Sequence, residues 1–410
     1  MVKRYINLQS ALVLALVILI TTWTGSSAYG AQKQTKNTQK AWTVLVYLAG
    51  DNNLDEWGFY SLNLMAQGLV SDKDVQVVIF FDHLGANAEL IEVAPGSWSR
   101  IADYGEPDTG NPDTLRDFLI LGLSQYPAER TLLVLWDHGG GWKTFGVDDT
   151  SHTRMSMDGI AGAMAEAELS TQKKIDITVF DACLMAMVEV AAELRQVTQY
   201  MVASTYTVDS DGFPYDLMLS RLITNTYDST EAIAHGFADD YYTFCIKSNS
   251  KAALSVAAVD ESKLNVLMDA IDGLSKELIA NMDGMHGEIN SARAVAEHQV
   301  WGGHMGVFWY IDLWVFADEL IKSSANPSID GYASAVQTLL TDAVYHRHSN
   351  NVDNFSYGLT ISFPSSLARY WDVGYIEQNY QGINLDFTAD THWDEMLLAF
   401  YPANEAPHGH

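Results

Sequence analysis

Cysteine and basic residues are scarce in this chain, and each shortage narrows what the protein can be. Only two of its 410 residues are cysteines, Cys183 and Cys245, so a disulfide between them is the only one that the chain can form. The 23 lysines and arginines stand against 52 aspartates and glutamates, which gives a formal net charge of -29. Such a surface repels nucleic acids and anionic lipids, so neither is an expected partner, and it attracts cationic peptides.

Long apolar runs are also rare. One lies near the N-terminus, where basic residues precede a ten-residue apolar stretch from Ala11 to Ile20 and small residues follow it. This order is typical of a secretory signal peptide, and the stretch is short for a membrane span. We predict a signal peptide over residues 1–28 and a flexible leader over 29–40, with an uncleaved anchor as the alternative. No later run reaches about eighteen apolar residues, so we expect no membrane span after signal removal and a secreted, periplasmic or cell-envelope location.

Apolar side chains are abundant and exclude a disordered chain. Hydrophobic residues make up 48% of the sequence and aromatic residues 11%. Apolar, β-branched runs alternate with amphipathic segments, which predicts an α/β fold with a mostly parallel sheet flanked by helices on both faces. The predicted strands span residues 42–48, 75–81, 131–136, 175–180 and 200–204.

The pattern changes beyond about residue 250. Residues 254–259 predict one more strand, residues 262–282 a long helix, and residues 357–363 a strand. We therefore predict an additional α+β region over residues 251–410 that packs on a first domain over residues 41–250 and carries no separate chemistry.

A cysteine follows the fourth predicted strand directly. The run ends in Asp181-Ala182-Cys183, and we predict a helix over residues 184–197 immediately after it. A helix N-terminus presents unpaired amides and a partial positive charge, which stabilise a thiolate and lower the pKa of a cysteine. Cys183 is therefore predicted to be reactive. The alternative role of Cys183 is a disulfide with Cys245. If no disulfide forms, we expect Cys245 to be a buried free thiol.

A histidine follows the third predicted strand in the same way, in the sequence Asp137-His138-Gly139. The carboxyl ends of parallel strands meet at one edge of a sheet, so we expect His138 and Cys183 to lie close together. A thiolate and an imidazole together supply a nucleophile and a proton shuttle. The amides of Gly139 and Cys183 are the expected oxyanion donors, because a glycine lets the main chain approach a substrate carbonyl. Asp137 either steers the imidazole or caps the loop.

These two motifs belong to a longer series of stretches. Residues 42–54 and 108–119 precede the histidine motif, and residues 358–364 and His392-Trp393 follow the cysteine motif. In this order the stretches resemble those of the clostripain family of cysteine peptidases, relatives of caspases, gingipains and legumains. The resemblance covers nearly all of the chain after the signal peptide and implies a caspase-like catalytic domain.

The resemblance implies a secreted cysteine endopeptidase that cleaves after arginine or lysine through a Cys-His dyad, with a thioester formed on Cys183. A basic side chain entering a pocket requires a buried carboxylate, which is worth more there because water is excluded. Asp181, within the family's Asp-Ala-Cys motif, is the carried-over candidate. Asp211, in the loop after the fifth strand, is the second, and its neighbour Asp209 is an alternative to it. The other interpretation is that these aspartates only stabilise turns, in which Asp-Gly is a common pair.

Members of the family are often proenzymes, which implies self-cleavage between the histidine and cysteine motifs. Arg154, in the polar run 148–154, is the preferred predicted cleavage point and Lys143 the other. Proteins or peptides containing arginine or lysine are the expected partners, and the enzyme is expected to be a monomer.

The chemistry of a cysteine peptidase requires no cofactor. The resemblance implies that calcium supports activity, as it does in several relatives, although the chain lacks an Asp-x-Asp-x-Asp-Gly calcium loop. The histidine pairs His346/His348 and His408/His410 have no companion ligands at a recognisable spacing, so we predict surface or tail residues and no metal site.

Two alternative functions stay open. One is a caspase-like peptidase of different specificity, accepting asparagine or a neutral residue before the cleaved bond. The other is a secreted binding protein that keeps the fold without catalysis, against which the intact pair of Cys183 and His138 argues.

Overall fold

The structure is a computed structural model that describes residues 39–248, 254–297, 310–348, 356–366 and 385–401. From Gln39 onward the chain forms one compact unit. The predicted signal peptide lies outside the described residues, as does the predicted leader except for its last two positions. Of these, Lys40 is the first residue of the first strand, and the leader stays a prediction.

The strands and helices alternate along the first part of the chain. The strands of the described residues are β1 (Lys40–Gly50), β2 (Val75–His83), β3 (Ala86–Ala94), β4 (Ser97–Asp103), β5 (Ala128–Trp136), β6 (Phe145–Asp148), β7 (Thr153–Met155), β8 (Ile175–Asp181), β9 (Thr198–Ala203), β10 (Ser255–Asp260), β11 (Tyr310–Asp312), β12 (Val344–His348) and β13 (Thr360–Ser362). Each of the five predicted central strands overlaps one of these.

The helices cover both faces of the sheet. They are α1 (Asp55–Gly68), α2 (Pro112–Gln125), α3 (Met157–Thr171), α4 (Val188–Leu194), α5 (Tyr215–Thr224), α6 (Thr230–Lys247), α7 (Leu264–Ala280), α8 (Met282–Ala296), α9 (Leu313–Ser323), α10 (Pro327–Ala343), α11 (Asp386–Asp390) and α12 (Trp393–Phe400). Among the described residues, no helix combines the length and the apolar character needed to cross a membrane.

One nine-stranded sheet has the spatial order β12-β10-β9-β8-β5-β1-β2-β3-β4. The central strands β9, β8, β5, β1 and β2 run parallel to one another, and the strands at both edges are antiparallel. The predicted α/β class with a mostly parallel sheet is therefore confirmed. The β3–β4 edge was not predicted, because most of the β4 side chains are exposed and no continuous apolar run marks that strand.

Alternate side chains of each central strand enter different apolar clusters. In β1, Leu45 and Tyr47 pack in a cluster that contains residues of α2, α3 and α4, whereas Val44 and Val46 pack with residues of α1, α5 and α6. Both faces of the sheet are thus buried, as the continuous apolar runs predict.

The last part of the chain contributes to the first of these clusters. Helices α7 to α10 and α12 add apolar side chains to the cluster that holds α2, α3 and α4. Trp393 is fully buried against the rings of Phe316 and Phe363, and its indole nitrogen donates to the carbonyl of Ser362 at 2.8 Å. The division at residue 250 stays a prediction. Because both parts share one cluster, we propose that they unfold together.

Replacing Trp393 with alanine tests this cooperativity. We expect a loss of about 3–5 kcal/mol in the free energy of unfolding, because the indole leaves a cavity and a hydrogen bond is lost. Urea unfolding followed by circular dichroism and by fluorescence measures it, and both probes should shift together. Trp57→Ala, at a side chain that is 39% exposed, is the matched control and should cost clearly less. Two separate transitions, with only one shifted by Trp393→Ala, would contradict a single cooperative unit.

Candidate active site

Two neighbouring parallel strands place the catalytic candidates side by side. β5 and β8 pair in register, with Leu132 opposite Ile177 and Trp136 opposite Asp181. His138 and Cys183 each lie two residues beyond this last pair. The amide of Asp137 continues the ladder by donating to the carbonyl of Asp181 at 3.3 Å. The structure therefore brings the histidine and cysteine motifs to one edge of the sheet.

The glycine after the histidine packs directly on the cysteine. A Cβ atom at Gly139 would overlap the carbonyl oxygen of Cys183 and lie 2.9 Å from its amide nitrogen. Only glycine permits this approach without displacing the backbone of Cys183. His138 and Cys183 line the same cavity, of about 270 Å³, together with Asn53, Asp181 and Asp209.

The segment after Cys183 differs from the prediction. Helix α4 begins at Val188, so the predicted helix over residues 184–197 is wrong at its start and Cys183 does not lie at a helix N-terminus. Leu184 has a φ of +68°, and its amide donates to the carbonyl of Tyr206, while that of Ala186 donates to Ser204. These long-range hydrogen bonds hold residues 184–187 in a non-helical conformation, so the helix begins only at Val188.

The environment of Cys183 raises the pKa of its thiol. Burial is the main cause, and the carboxylates of Asp181 and Asp209 add to it, while a hydrogen bond with Val208 opposes them. The predicted lowering of this pKa is therefore wrong, because it assumed a helix N-terminus at Cys183 that the structure does not contain. Both Cys183 and Cys245 are free thiols, which excludes the disulfide. Cys245 is buried on α6, as expected.

His138 is held by a residue that the sequence analysis did not assign to the site. Its Nε2 lies 2.9 Å from the side-chain oxygen of Asn53, in the loop after β1. This hydrogen bond fixes the orientation of the imidazole ring. Burial and the charge of Arg154 lower the pKa of His138, which favours the neutral ring. Asn53 lies within residues 42–54, one of the stretches that carry the family resemblance, and that membership was the sequence feature that could have identified it as a site residue.

Asp137 organises the loops around the histidine. Its buried carboxylate accepts hydrogen bonds from the amides of His138 and Val147 and from the side chain of Asn52. None of these partners is the imidazole, and two of them, His138 and Asn52, lie in the loops after β5 and β1, while Val147 lies on β6. Of the two roles that the sequence left open, the structure therefore favours loop capping.

The two candidate specificity carboxylates have different positions. Asp181 is 5% exposed and lines the cavity, and its Oδ2 accepts from the hydroxyl of Tyr215 at 2.6 Å and from the amide of Phe213 at 3.2 Å. Burial raises the pKa of Asp181 to about 6. Asp211 is half-buried, and burial and Asp209 raise its pKa. Asp209 belongs to the described residues that line the cavity, and Asp211 does not.

The main chain around Gly139 keeps an amide available. Gly139 pairs with Phe145 in a β-bridge whose hydrogen bonds use the carbonyl of His138 and the amide of Gly140, both at 2.9 Å. The amide of Gly139 is not part of that pairing, and a Cβ atom on Gly139 would lie 2.9 Å from the amide nitrogen of Cys183. Two amide donors at this point suit the stabilisation of an oxyanion.

The predicted cleavage points lie between the two motifs, in different environments. Arg154 is exposed but belongs to β7, so the run 148–154 is not an open loop throughout as expected. Lys143 is 8% exposed, with its ammonium 5.6 Å from the centre of the Trp142 ring. His346 and His348 lie on β12 with stacked rings, and His408 and His410 are outside the described residues.

Comparison with known proteins, like the geometry of the site, indicates a cysteine peptidase. A family model described as the clostripain family matches residues 46–399. Clostripain from Hathewaya histolytica is 22% identical over an alignment that covers 82% of this chain and 77% of the relative.

Two solved structures share the fold. One is a secreted C11 cysteine protease from Bacteroides thetaiotaomicron in complex with an irreversible peptide inhibitor, with a TM-score of 0.64, 21% identity and coverage of 87% of this chain and 100% of that one. The other is an inactive zymogen C11 protease from Parabacteroides distasonis, with a TM-score of 0.66, 20% identity and coverage of 86% and 99%. With the family model matched over most of its length, the chain belongs to the clostripain family and is a cysteine peptidase with a caspase-like fold.

Proposed function

We propose that this peptidase is a secreted endopeptidase, active as a monomer, that cleaves peptide bonds after arginine or lysine with Cys183 as nucleophile. One observation carries the proposal: a single cavity is lined by Cys183, by His138 and by the buried carboxylate of Asp181. A nucleophile, a base and an anion thus lie within reach of one bound peptide. The signal-like N-terminus supports secretion, as does the likeness to a protease described as secreted.

The proposed mechanism begins with neutral partners. Burial raises the pKa of the Cys183 thiol and lowers that of the His138 imidazole, so the thiol proton passes to the imidazole as the sulfur attacks the substrate carbonyl. The amides of Gly139 and Cys183 donate to the oxyanion. His138 then returns the proton to the leaving amine, and water activated by the same imidazole hydrolyses the thioester on Cys183.

Asp181 is the proposed partner of the substrate cation. The hydroxyl of Tyr215 and the amide of Phe213 hold Oδ2, which fixes the orientation of the carboxylate. A guanidinium or ammonium in the cavity would stabilise the ionised form and lower the pKa of Asp181 from its raised value of about 6. Asp211 or Asp209 is the proposed second carboxylate, and the cavity lining supports Asp209.

We also propose that the chain activates itself by cleavage after Arg154. Exposure of Arg154 and burial of Lys143 support this choice between the two candidates. Both line a second cavity, of about 480 Å³, beside the β6–β7 hairpin. The fold likeness to a protease described as an inactive zymogen is consistent with a proenzyme.

Removal of either catalytic side chain tests the proposed pair. Cys183→Ala and His138→Ala should each lower kcat/KM on a fluorogenic arginyl peptide by at least about 10³-fold, and the double variant should lose little more, because the two groups act as a unit. Cys245→Ala is the matched control, since that thiol is buried on α6, and it should keep its turnover. Substantial hydrolysis by Cys183→Ala would contradict the assignment.

A methyl group at Gly139 tests the contact between the two motifs. Gly139→Ala should lower kcat by about 10²-fold, because the added Cβ displaces the backbone of Cys183 and misplaces the sulfur. Gly162→Ala on α3 is the control, since its Cβ would meet no atom within 4 Å. Steady-state kinetics on the same arginyl peptide measures both variants. Wild-type kinetics for Gly139→Ala would mean that the packing seen here does not position the sulfur.

Neutralising Asp181 tests the specificity. Asp181→Asn should lower kcat/KM for an arginyl peptide by about 10²-fold or more, because a buried charge pair is broken. Activity on a matched peptide with a neutral residue before the cleaved bond should change little. Asp209→Asn and Asp211→Asn, assayed with the same two peptides, identify the second carboxylate. Equal losses on both peptides for Asp181→Asn would indicate a structural role and reject the specificity assignment.

A further inference from the structure

Two buried carboxylates at the ends of neighbouring strands have oxygen atoms that the protein does not satisfy. Asp51 follows β1 directly and Asp82 lies near the end of β2, and both side chains are fully buried. One oxygen of each is engaged, by the amide of Thr150 at 2.9 Å and by the hydroxyl of Thr109 at 3.3 Å. The other oxygen of each, Oδ1, has no hydrogen-bond donor among the described residues.

A third carboxylate lies next to this pair. Carboxylate oxygens of Asp51, Asp82 and Glu106 all lie within 4.8 Å of one another. Glu106 is exposed and follows β4, so the cluster is open to solvent on its side. Three negative groups at this spacing repel one another unless protons or a cation neutralise them.

The surroundings add negative charge to the cluster. Asp148 also approaches the Thr109 hydroxyl, at 3.2 Å, and one hydroxyl hydrogen cannot serve both Asp148 and Asp82. The carboxylates of Glu106, Asp148 and Asp51 all act on the buried Asp82 and add negative charge around it. Buried carboxylates of this kind normally pair with a cation or coordinate a metal.

We propose that Asp51, Asp82 and Glu106 bind one calcium ion. Calcium takes six to eight oxygen ligands at about 2.3–2.6 Å, so oxygens up to about 5 Å apart can share one ion. The cluster supplies only oxygen ligands, and the open side at Glu106 leaves room for water to complete the coordination. Magnesium demands a tighter octahedron and holds its own water more strongly.

Bound calcium would also fix the loop that orients the catalytic imidazole, an inference that rests on the proposed function. Asp51 is followed by Asn52, which donates to Asp137 at 2.9 Å, and by Asn53, whose oxygen lies 2.9 Å from Nε2 of His138. An ion held by Asp51 restrains this segment at its first residue. The calcium site is therefore linked by consecutive residues to the proposed base.

Calorimetry and thermal unfolding of the full-length Cys183→Ala protein test the site without interference from self-cleavage. We expect one calcium ion per chain and a rise in Tm of about 3 °C at a calcium concentration near 100 times Kd. Magnesium at the same concentration should give a smaller rise. The chelated protein supplies the baseline.

Three further substitutions in the same background locate the ligands. Asp82→Asn should weaken binding at least tenfold and raise the Tm of the chelated protein, because a buried charge is removed. Glu106→Gln should weaken binding and raise the chelated Tm by less than Asp82→Asn does, since Glu106 is exposed and its repulsion is screened by solvent. Glu261→Gln is the matched control, because that carboxylate is 2% exposed, also unsatisfied among the described residues, and follows β10 on the other side of the sheet. It should bind calcium as the parent does.

Several results would overturn the proposal. Absence of calcium binding, or binding that survives in both Asp82→Asn and Glu106→Gln, rejects the site, and equal binding of magnesium rejects the choice of calcium. In the active protein, at a calcium concentration that saturates the wild type and not Glu106→Gln, chelation should lower kcat on the arginyl peptide more for the wild type than for the variant. A wild-type protein that binds calcium without hydrolysing any peptide would reject the proposed function and leave the binding site standing.

Discussion

The in-register parallel pairing of β5 and β8 is the constraint on which the active site depends. Because Trp136 lies opposite Asp181, the loops that follow these two strand ends start next to each other, and they carry His138 and Cys183 to one cavity. A slip of one residue would turn every side chain of the strand to the other face and separate the pair. The buried apolar side chains of both strands, which pack in clusters on the two faces of the sheet, prevent such a slip.

Polar groups then fix the loops that continue from these strands. Asp137 accepts hydrogen bonds from the amides of His138 and Val147 and from the side chain of Asn52, so one buried carboxylate connects the loops after β5 and β1 with strand β6. Leaving any of these buried groups without a partner would cost about 1–3 kcal/mol. The same loops carry Asn53 to the imidazole and Asp51 to the acidic cluster, so catalysis and the proposed calcium site share one support.

Much of the architecture could be predicted from the sequence because it depends on local pattern. The central strands are continuous apolar runs, and parallel strands bring their carboxyl ends to one edge, which is why the proximity of His138 and Cys183 followed from their positions alone. The start of α4 could not be predicted in this way. Residues 184–187 are good helix formers, but the amides of Leu184 and Ala186 bind carbonyls near the end of β9, and tertiary contacts override propensity.

The errors at the site have the same origin. Without a helix N-terminus at Cys183, burial dominates and the thiol pKa rises instead of falling. The roles of Asn53 and Asp137 depend on residues from distant parts of the chain, which no local spacing records. Whether Asp209 or Asp211 lines the cavity depends on a turn in which the amide of Gly212 donates to the carbonyl of Asp209 at 2.8 Å. The sequence shows that a glycine is present there, but it does not show which of the two aspartates the turn places at the cavity.

The most direct measurement of the central claim is the rate and position of alkylation by an irreversible peptide electrophile that carries arginine. We predict modification of Cys183 and not of Cys245, identified by mass spectrometry of the digested protein. We also predict a second-order rate constant that falls at least about 10²-fold in His138→Ala, because the imidazole must accept the thiol proton. Modification of Cys245 instead, or an unchanged rate for Cys183 in His138→Ala, would contradict a catalytic pair built on the β5–β8 register.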